Sequence, residues 1–579
     1  MPTDFAALPA TAQEFSAWTW PQIAPYYDDL LARPLSAANV NAWLADWSRL
    51  AALLDELSTR FTIATTVNTA DEETARSFNT FLDEIVPPMQ AAEQRLKEKL
   101  IASGLEPAGF AVPLRKLRTD AALFRETNVP LLSEARKLNL EYDGIAGART
   151  VEWDGAEIPS TQLSAYFYDP DRALRERAWR AYYGRIQQDT PALADLWRRM
   201  IATRAALARN AGLPNYREYR WRQLYRFDYT PDDAKRFNDA IAEVVVPAAS
   251  RAYARRRQRL GAATLRPWDV YVSPYGGAAL KPYATIAELE GKTANVFRQV
   301  EPDFAGYFET MRAEGLLDLD SRANKAPGGY SVPLAVAKRP FIFANSVGSS
   351  DDVDTLLHEG GHAFHTFEAA HLPYAQQWLE AWVPAEFAEV ASMGMELLGS
   401  RYLTKAFGGF YTEAEAARAR IDKLDTFLTF WPYMAMIDSL QHWVYEHEDE
   451  SGDIARCDDL WAALEDRFRP VWDWSGMEAE KRQFWHRQGH VFQDPFYYIE
   501  YGLAQLGAVQ IYANALRDPT GAVAAYRHAL ALGGTATLPG LFAAAGARFA
   551  FDAETLRAAV SLLEEQMAAL EPIAAGTDS

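Results

Sequence analysis

Apolar residues recur three and four apart over most of the chain, with charged residues between them. Segments 37–58, 71–103, 117–138, 171–209, 231–260 and 286–314 all carry this spacing, which gathers the apolar side chains on one face of a helix. Asp71, ahead of Glu72 and Glu73, is an N-terminal signal for the second segment. Pro87-Pro88 must interrupt or kink that segment, because proline lacks the N–H a helix needs and clashes with the preceding turn. Strand-like runs are few and short: Thr150–Trp153 with Glu157–Ile158, Val270–Val272, Ser331–Ala337 and Pro340–Asn345. The pattern predicts a mainly α fold with a small β-sheet. Gly144–Ser160 reads as a hairpin inserted between helices. Gly261–Tyr283, with Pro267, Pro274, Gly276, Gly277 and Pro282, reads as loops. The expected division is an N-terminal helical lobe over residues 1–200 and a second region over 201–579, with no repeat of fixed period.

One further helix carries chemistry. After the apolar run Arg339–Asn345, Ser349 and Ser350 can cap a helix whose first turn is crowded by Asp351, Asp352 and Asp354. Val353, Leu356 and Leu357 continue the helical spacing, and His358-Glu359-Gly360-Gly361-His362 follows one to two turns in. Histidines four apart lie on one helical face, so both imidazoles can reach one metal ion, and the glutamate between them stands beside its open position. Zinc held in this way polarises a carbonyl and acidifies water, and Glu359 is placed to take the proton as general base. The competing reading is a surface helix with two solvated histidines.

Two histidines leave zinc short of a third protein ligand. Residues 385–396 read as a helix with acids among apolar residues, and a carboxylate facing a core needs a partner. Glu389 is the expected third ligand, with Glu386 in reserve. Ser392 and Glu396 lie three and seven residues on along the same face, where they can support it. His365 and His371 are read as helix-packing or supporting residues rather than ligands.

These residues resemble the M3 metallopeptidases, most closely the oligoendopeptidase F branch. That family's D-x-x-T-L-x-H-E-x-G-H is matched by Asp352-Val353-Asp354-Thr355-Leu356-Leu357-His358-Glu359-Gly360-Gly361-His362, and its A-E-x-x-S-x-x-x-E by Ala388-Glu389, Ser392 and Glu396. Gly489-His490 and Pro495-Phe496-Tyr497-Tyr498-Ile499-Glu500-Tyr501-Gly502 are similar to its C-terminal histidine and tyrosine-rich helix, and Gly533-Gly534, Pro539 and Ala545-Gly546 to its last segment. In one departure, Gly360 stands where a bulkier residue is usual. Two successive glycines inside a helix mean either that something packs closely there or that a metal stabilises the turn. The resemblance implies a zincin-like fold with helical lobes enclosing a channel, and a catalytic region over 201–579. It implies one zinc ion per chain, held by His358, His362 and Glu389, with Glu359 as general base. His490 and Tyr501, with Tyr498, would stabilise the oxyanion. The spacing from His490 is shifted by about one residue, which leaves Tyr497 and Tyr498 as alternatives for the second tyrosine. The implied activity is endoproteolysis of oligopeptides. A carboxypeptidase or dipeptidyl carboxypeptidase would need a cationic anchor for the substrate carboxylate. A non-catalytic helical peptide-binding protein would have no reason to keep Glu359.

Composition adds boundaries to this reading. The 579 residues, 49% hydrophobic and 23% charged, suffice for more than one core. A formal net charge of −20 argues against nucleic acid or anionic membrane as partners. The basic cluster Arg251, Arg255, Arg256, Arg257 and Arg259 is read as a solvated face balanced by nearby acids. A single cysteine, Cys457, an N-terminus without a basic or apolar leader, and no apolar run of membrane-spanning length lead to a cytoplasmic expectation. Ala326–Tyr330 is a Gly-rich loop expected over a cleft. Phe341–Asn345 is expected as an edge strand able to pair with an extended peptide. His486 and Trp485 are read as structural, and Cys457 as a thiol of no special role.

Overall fold

The computed structural model describes residues 4–275 and 279–576, so the loop expectation for Gly276 and Gly277 lies outside the described residues. The fold is mainly α. Each predicted helical segment is present, but most are divided. Residues 71–103 form Glu72–Glu84 and Val86–Ser103, restarting at Pro87-Pro88, and Asp71 caps the first through the N–H groups of Glu73 and Thr74. Residues 171–209 split at Asp189 and 286–314 at Glu301, each ahead of a proline that starts the next helix. Residues 117–138 are shared between Ala111–Leu123 and Val129–Gly147. Residues 231–260 contain a π-helical turn, Ile241–Val245, just before Pro247, whose missing N–H breaks the regular ladder.

The chain separates into two compact units, each assembled from three segments. The first comprises Met1–Ala122, Ala279–Ala416 and Ala504–Phe549. Its N-terminal helices share a core in which Trp43, Trp47, Leu50, Leu96 and Leu117 are buried. Its sheet has three strands, β1 (Leu317–Asp320), β2 (Tyr330–Leu334) and β3 (Arg339–Ser346), in the order β1-β3-β2. β3 runs parallel to β1, with Leu317 opposite Ile342, and antiparallel to β2, with Tyr330 opposite Phe343. The expected edge strand Phe341–Asn345 is therefore the central one, and the edges are β1 and β2. The cause is visible in its composition. Phe341, Ile342, Phe343 and Ala344 are all buried, because helices cover both faces, and a strand buried on both faces reads as a continuous apolar run.

Helix α1 (Ile286–Val300) precedes the sheet; α2 (Ser350–Ala369) and α3 (Ala385–Ser400) follow it and pack against each other. The turn from β3 into α2 is held by Asp352, whose Oδ2 accepts from the N–H groups of Val347, Gly348 and Ser349 at 2.9, 2.8 and 2.7 Å and from the Tyr283 hydroxyl. Ser349 caps α2 in a capping box with Asp352.

The second unit comprises Leu123–Ala278, Ala417–Leu503 and Ala550–Ser579. It contains the expected hairpin, Thr150–Trp153 paired antiparallel with Ala156–Pro159. Asp154 and Gly155 turn it at φ +51° and +83°, as a two-residue hairpin turn requires. Val270–Val272 is not a strand. The buried Asp269 carboxylate just before it takes Arg172 and Arg175 at 2.8 and 3.1 Å and the N–H of Arg266 at 3.0 Å, which holds this backbone in a turn. The basic cluster is balanced as expected: Arg251 pairs with Glu564, Arg256 with Asp425 and Arg259 with Glu571.

Candidate active site

Gly361 lets α3 approach α2, and Gly360 lets α1 approach it on the other side. A Cβ on Gly361 would lie 2.6 Å from the Cα of Ser392, closer than real Cβ contacts come, and one on Gly360 would lie 2.5 Å from Cζ of Phe297 in α1. Of the two explanations for the Gly-Gly pair, close packing is realised on both sides of the helix.

The approach brings three donor atoms together. Those of His358, His362 and Glu389 all lie within 4.8 Å of one another. Oε2 of Glu389 is 3.4 Å from Nε2 of His358 and 3.7 Å from Nε2 of His362. Two ligands of one tetrahedral zinc ion stand about 3.3 Å apart, close to both separations from Glu389, so the donor set suits that ion. Glu386 is also buried but is not part of this cluster.

Two of the three donors have a supporting partner. Nδ1 of His358 lies 2.6 Å from Oε1 of Glu396, which reserves Nε2 for a metal. Ser392 Oγ donates to Oε2 of Glu389 at 2.9 Å. Burial opposes protonation of His358, yet the Glu389 and Glu396 carboxylates overcome it and hold its pKa well above the ordinary imidazole value. Burial pushes His362 down to about 4. Burial would raise Glu389, but the imidazoles and Ser392 outweigh it and keep its pKa below the usual carboxylate value. His362 is neutral and Glu389 ionised, and the carboxylates that favour a proton on His358 would favour a metal cation in place of that proton.

Glu359 is buried on α2 between the two histidines. The Gly-rich loop reaches it: a Cβ on Gly329 would be 3.7 Å from Oε1 of Glu359 and 3.3 Å from Cγ2 of Thr355. His365 is buried edge-on to Phe387, ring centroids 6.1 Å apart, and lies outside the donor cluster. His371 is exposed, with Nδ1 on the carbonyl of Glu368 at 2.8 Å.

The second unit brings together the other predicted group. Ring centroids of His490 lie 5.8, 5.1 and 6.4 Å from those of Tyr497, Tyr498 and Tyr501. Tyr498 and Tyr501 enter the helix Tyr498–Arg517, and Phe496 before them has φ +68°. Gln441 holds that turn by accepting from the N–H of Phe496 at 2.8 Å. Burial lowers the His490 pKa, against the opposing charge of Asp494, and raises the Tyr498 hydroxyl far above its usual range. Trp485 and His486 are structural, both on Oδ1 of Asp458 at 2.8 Å. Gln488, which contacts His490 and Tyr498, was not singled out by sequence, because an isolated amide belongs to no motif.

Comparison with known proteins bears on the family and the fold. The model described as Peptidase family M3 matches residues 165–561, more than half of the chain, and that of the Peptidase M3 N-terminal domain matches residues 13–108. A structure of PZ peptidase A with inhibitor 2 is 24% identical, with TM-score 0.86, covering 98% of this chain and 100% of its own. A proposed oligoendopeptidase F is 26% identical, with TM-score 0.86, over 99% of this chain and 100% of its own. A proposed oligoendopeptidase F from Bacillus anthracis str. Ames is 22% identical, with TM-score 0.81, over 96% and 97%. No curated protein matches the chain.

Proposed function

The chain belongs to peptidase family M3, and we propose that it is a zinc-dependent oligoendopeptidase that cleaves internal bonds of short, unfolded peptides. The observation that carries this reading is the cluster of His358, His362 and Glu389 donor atoms within 4.8 Å, with Glu359 between the histidines on the same helix. Among the described residues no other group of His, Cys, Asp and Glu is so disposed.

In the proposed site His358, His362 and Glu389 would hold the metal. When bound, zinc would polarise the scissile carbonyl and acidify a water molecule. Glu359 takes the proton of the attacking water and returns it to the leaving amine, so a single carboxylate serves as base and then acid. Glu396 and Ser392 orient the first histidine and the carboxylate. His490 and Tyr501, with Tyr498, donate to the oxyanion that develops as the carbonyl carbon becomes tetrahedral. Gly329 beside Glu359 lets a peptide backbone approach without meeting a side chain. A cytosolic setting is part of the proposal, supported by a single cysteine, Cys457, which excludes an intramolecular disulfide framework. No helix among the described residues is long and apolar enough to cross a membrane.

The test is an octapeptide acetylated at its N-terminus and amidated at its C-terminus. Cleavage at an internal bond, lost on chelation and restored by zinc, is the expected result. Failure to cut it, with stepwise shortening of the same peptide bearing a free carboxylate, would replace the endopeptidase by a carboxypeptidase.

A further inference from the structure

Gln488 stands between the histidine and the tyrosine of the proposed oxyanion group. It is buried. Its Nε2 lies 2.7 Å from the hydroxyl of Tyr498 and 3.2 Å from Nδ1 of His490. Its Oε1 accepts from the hydroxyl of Tyr433 at 2.9 Å, and that hydroxyl in turn accepts from Nη2 of Arg487 at 3.3 Å.

The direction of this chain follows from its first member. A guanidinium only donates. With Arg487 donating to its oxygen, Tyr433 turns its proton toward Gln488, which fixes the carbonyl end of the amide on that side. The reverse orientation would put the amide NH2 against a hydroxyl that already accepts from Arg487. The NH2 therefore faces Tyr498 and His490. It too only donates, so Nδ1 of His490 must accept, and a neutral imidazole then carries its proton on Nε2. Tyr498 accepts in the same way and keeps its own proton for another acceptor.

We propose that Gln488 is a positioning residue that holds His490 as the Nε2–H tautomer and orients Tyr498 as a donor, so that both offer a proton to one substrate oxygen. This rests on the oxyanion role proposed for His490 and Tyr498. It assigns to an amide outside the reacting atoms the task of keeping two donors pointed the same way. Burial keeps His490 neutral, so the tautomer rather than a charge decides what the ring can do.

The experiment is 15N NMR of the full chain, zinc-loaded and labelled at histidine, above pH 7, with the His490 signals identified by their loss in His490→Gln. The wild-type spectrum should show Nδ1 bare and Nε2 protonated. In Gln488→Glu the side chain keeps its shape but can only accept, so Nδ1 of His490 should become protonated, and kcat should fall about 10²-fold with KM changed less than about threefold. A bare Nε2 in the wild type overturns the proposal, whether or not Gln488→Glu folds. So does a Gln488→Glu protein whose tautomer is unchanged. Should the tautomer switch as expected while His490→Gln itself keeps full kcat, the oxyanion reading fails and the hold of Gln488 on the ring stands.

Discussion

Gly361 and Ser392 meet backbone to backbone: a Cβ on the glycine would stand 2.6 Å from the serine Cα. The contact sets the separation of α2 and α3, and therefore of the two histidines from Glu389. Gly361→Ala should force the helices apart, at a cost of about 1–3 kcal/mol from overpacking. The melting temperature should drop, and zinc content should drop with it. A variant with normal stability and full zinc would show that the contact does not set the site.

Glu359→Gln and Glu389→Ala separate holding the metal from using it. The first keeps nearly the same shape but cannot accept a proton. It should retain zinc and lose at least ~10³-fold in turnover. The second removes a donor and should lose zinc itself, with a lower melting temperature as the stabilisation by bound metal disappears. Full zinc in Glu389→Ala would return Glu386 to consideration; more than a tenth of normal activity in Glu359→Gln would remove the general base.

How far the sequence could lead depended on whether the signal was local. Asp71, Ser349 and Asp352 cap helices within three residues of themselves, so they were readable. The His-Glu pattern was readable because helical geometry alone places its members. The argument that a carboxylate on an apolar face must have a partner pointed to Glu389 but applied equally to the buried Glu386, and it is the fold that brings Glu389 to the histidines. The sheet order was not readable in that way. Phe341–Asn345 finds one neighbour across a tight turn and the other, β1, through a register that no local signal encodes. Leu317–Asp320 is four residues with two aspartates, too short and too polar to stand out. Helix breaks at Asp189 and Glu301 were masked by apolar spacing that continues across them, although Pro191 and Pro302 mark both in the sequence.

Tyr501→Phe should lower kcat by about 10²–10³ with little change in KM, since the hydroxyl is proposed to meet an oxygen that becomes anionic only in the transition state. Tyr501 also packs edge-on to Phe430, with centroids 6.2 Å apart. A purely packing role predicts a different outcome: a stability change near ~1 kcal/mol and normal kinetics. Measuring kcat, KM and melting temperature on the one variant distinguishes them.

His365 makes a pH prediction. Burial, aided by His362, holds its pKa down to about 3, whereas in the unfolded chain an imidazole titrates near ~6.5. Above that value neither state is protonated and His365 contributes no pH dependence. Between pH ~6.5 and 3 only the unfolded chain takes the proton, so stability falls as pH falls, by at most about 1.4 kcal/mol per pH unit, and levels off below. His365→Phe should therefore show a shallower loss of stability between pH 7 and 4.5 than the parent chain, both measured metal-free by urea unfolding. Parallel curves would mean that the imidazole is not kept neutral in the fold.

The ring of Phe297 occupies the space that a side chain at position 360 would fill, with Cζ 2.5 Å from where a Cβ would begin. The two positions therefore share one volume and cannot change independently. Among relatives, a large residue between the glutamate and the second glycine should be accompanied by a small one in the place of Phe297. In this chain the volume is supplied by the neighbour of the helix that carries the histidines. Such an exchange is hard to reach by single steps, since enlarging position 360 first overfills the site and trimming Phe297 first leaves a void. The Gly360–Phe297 pair thus acts as one steric unit spread over two helices.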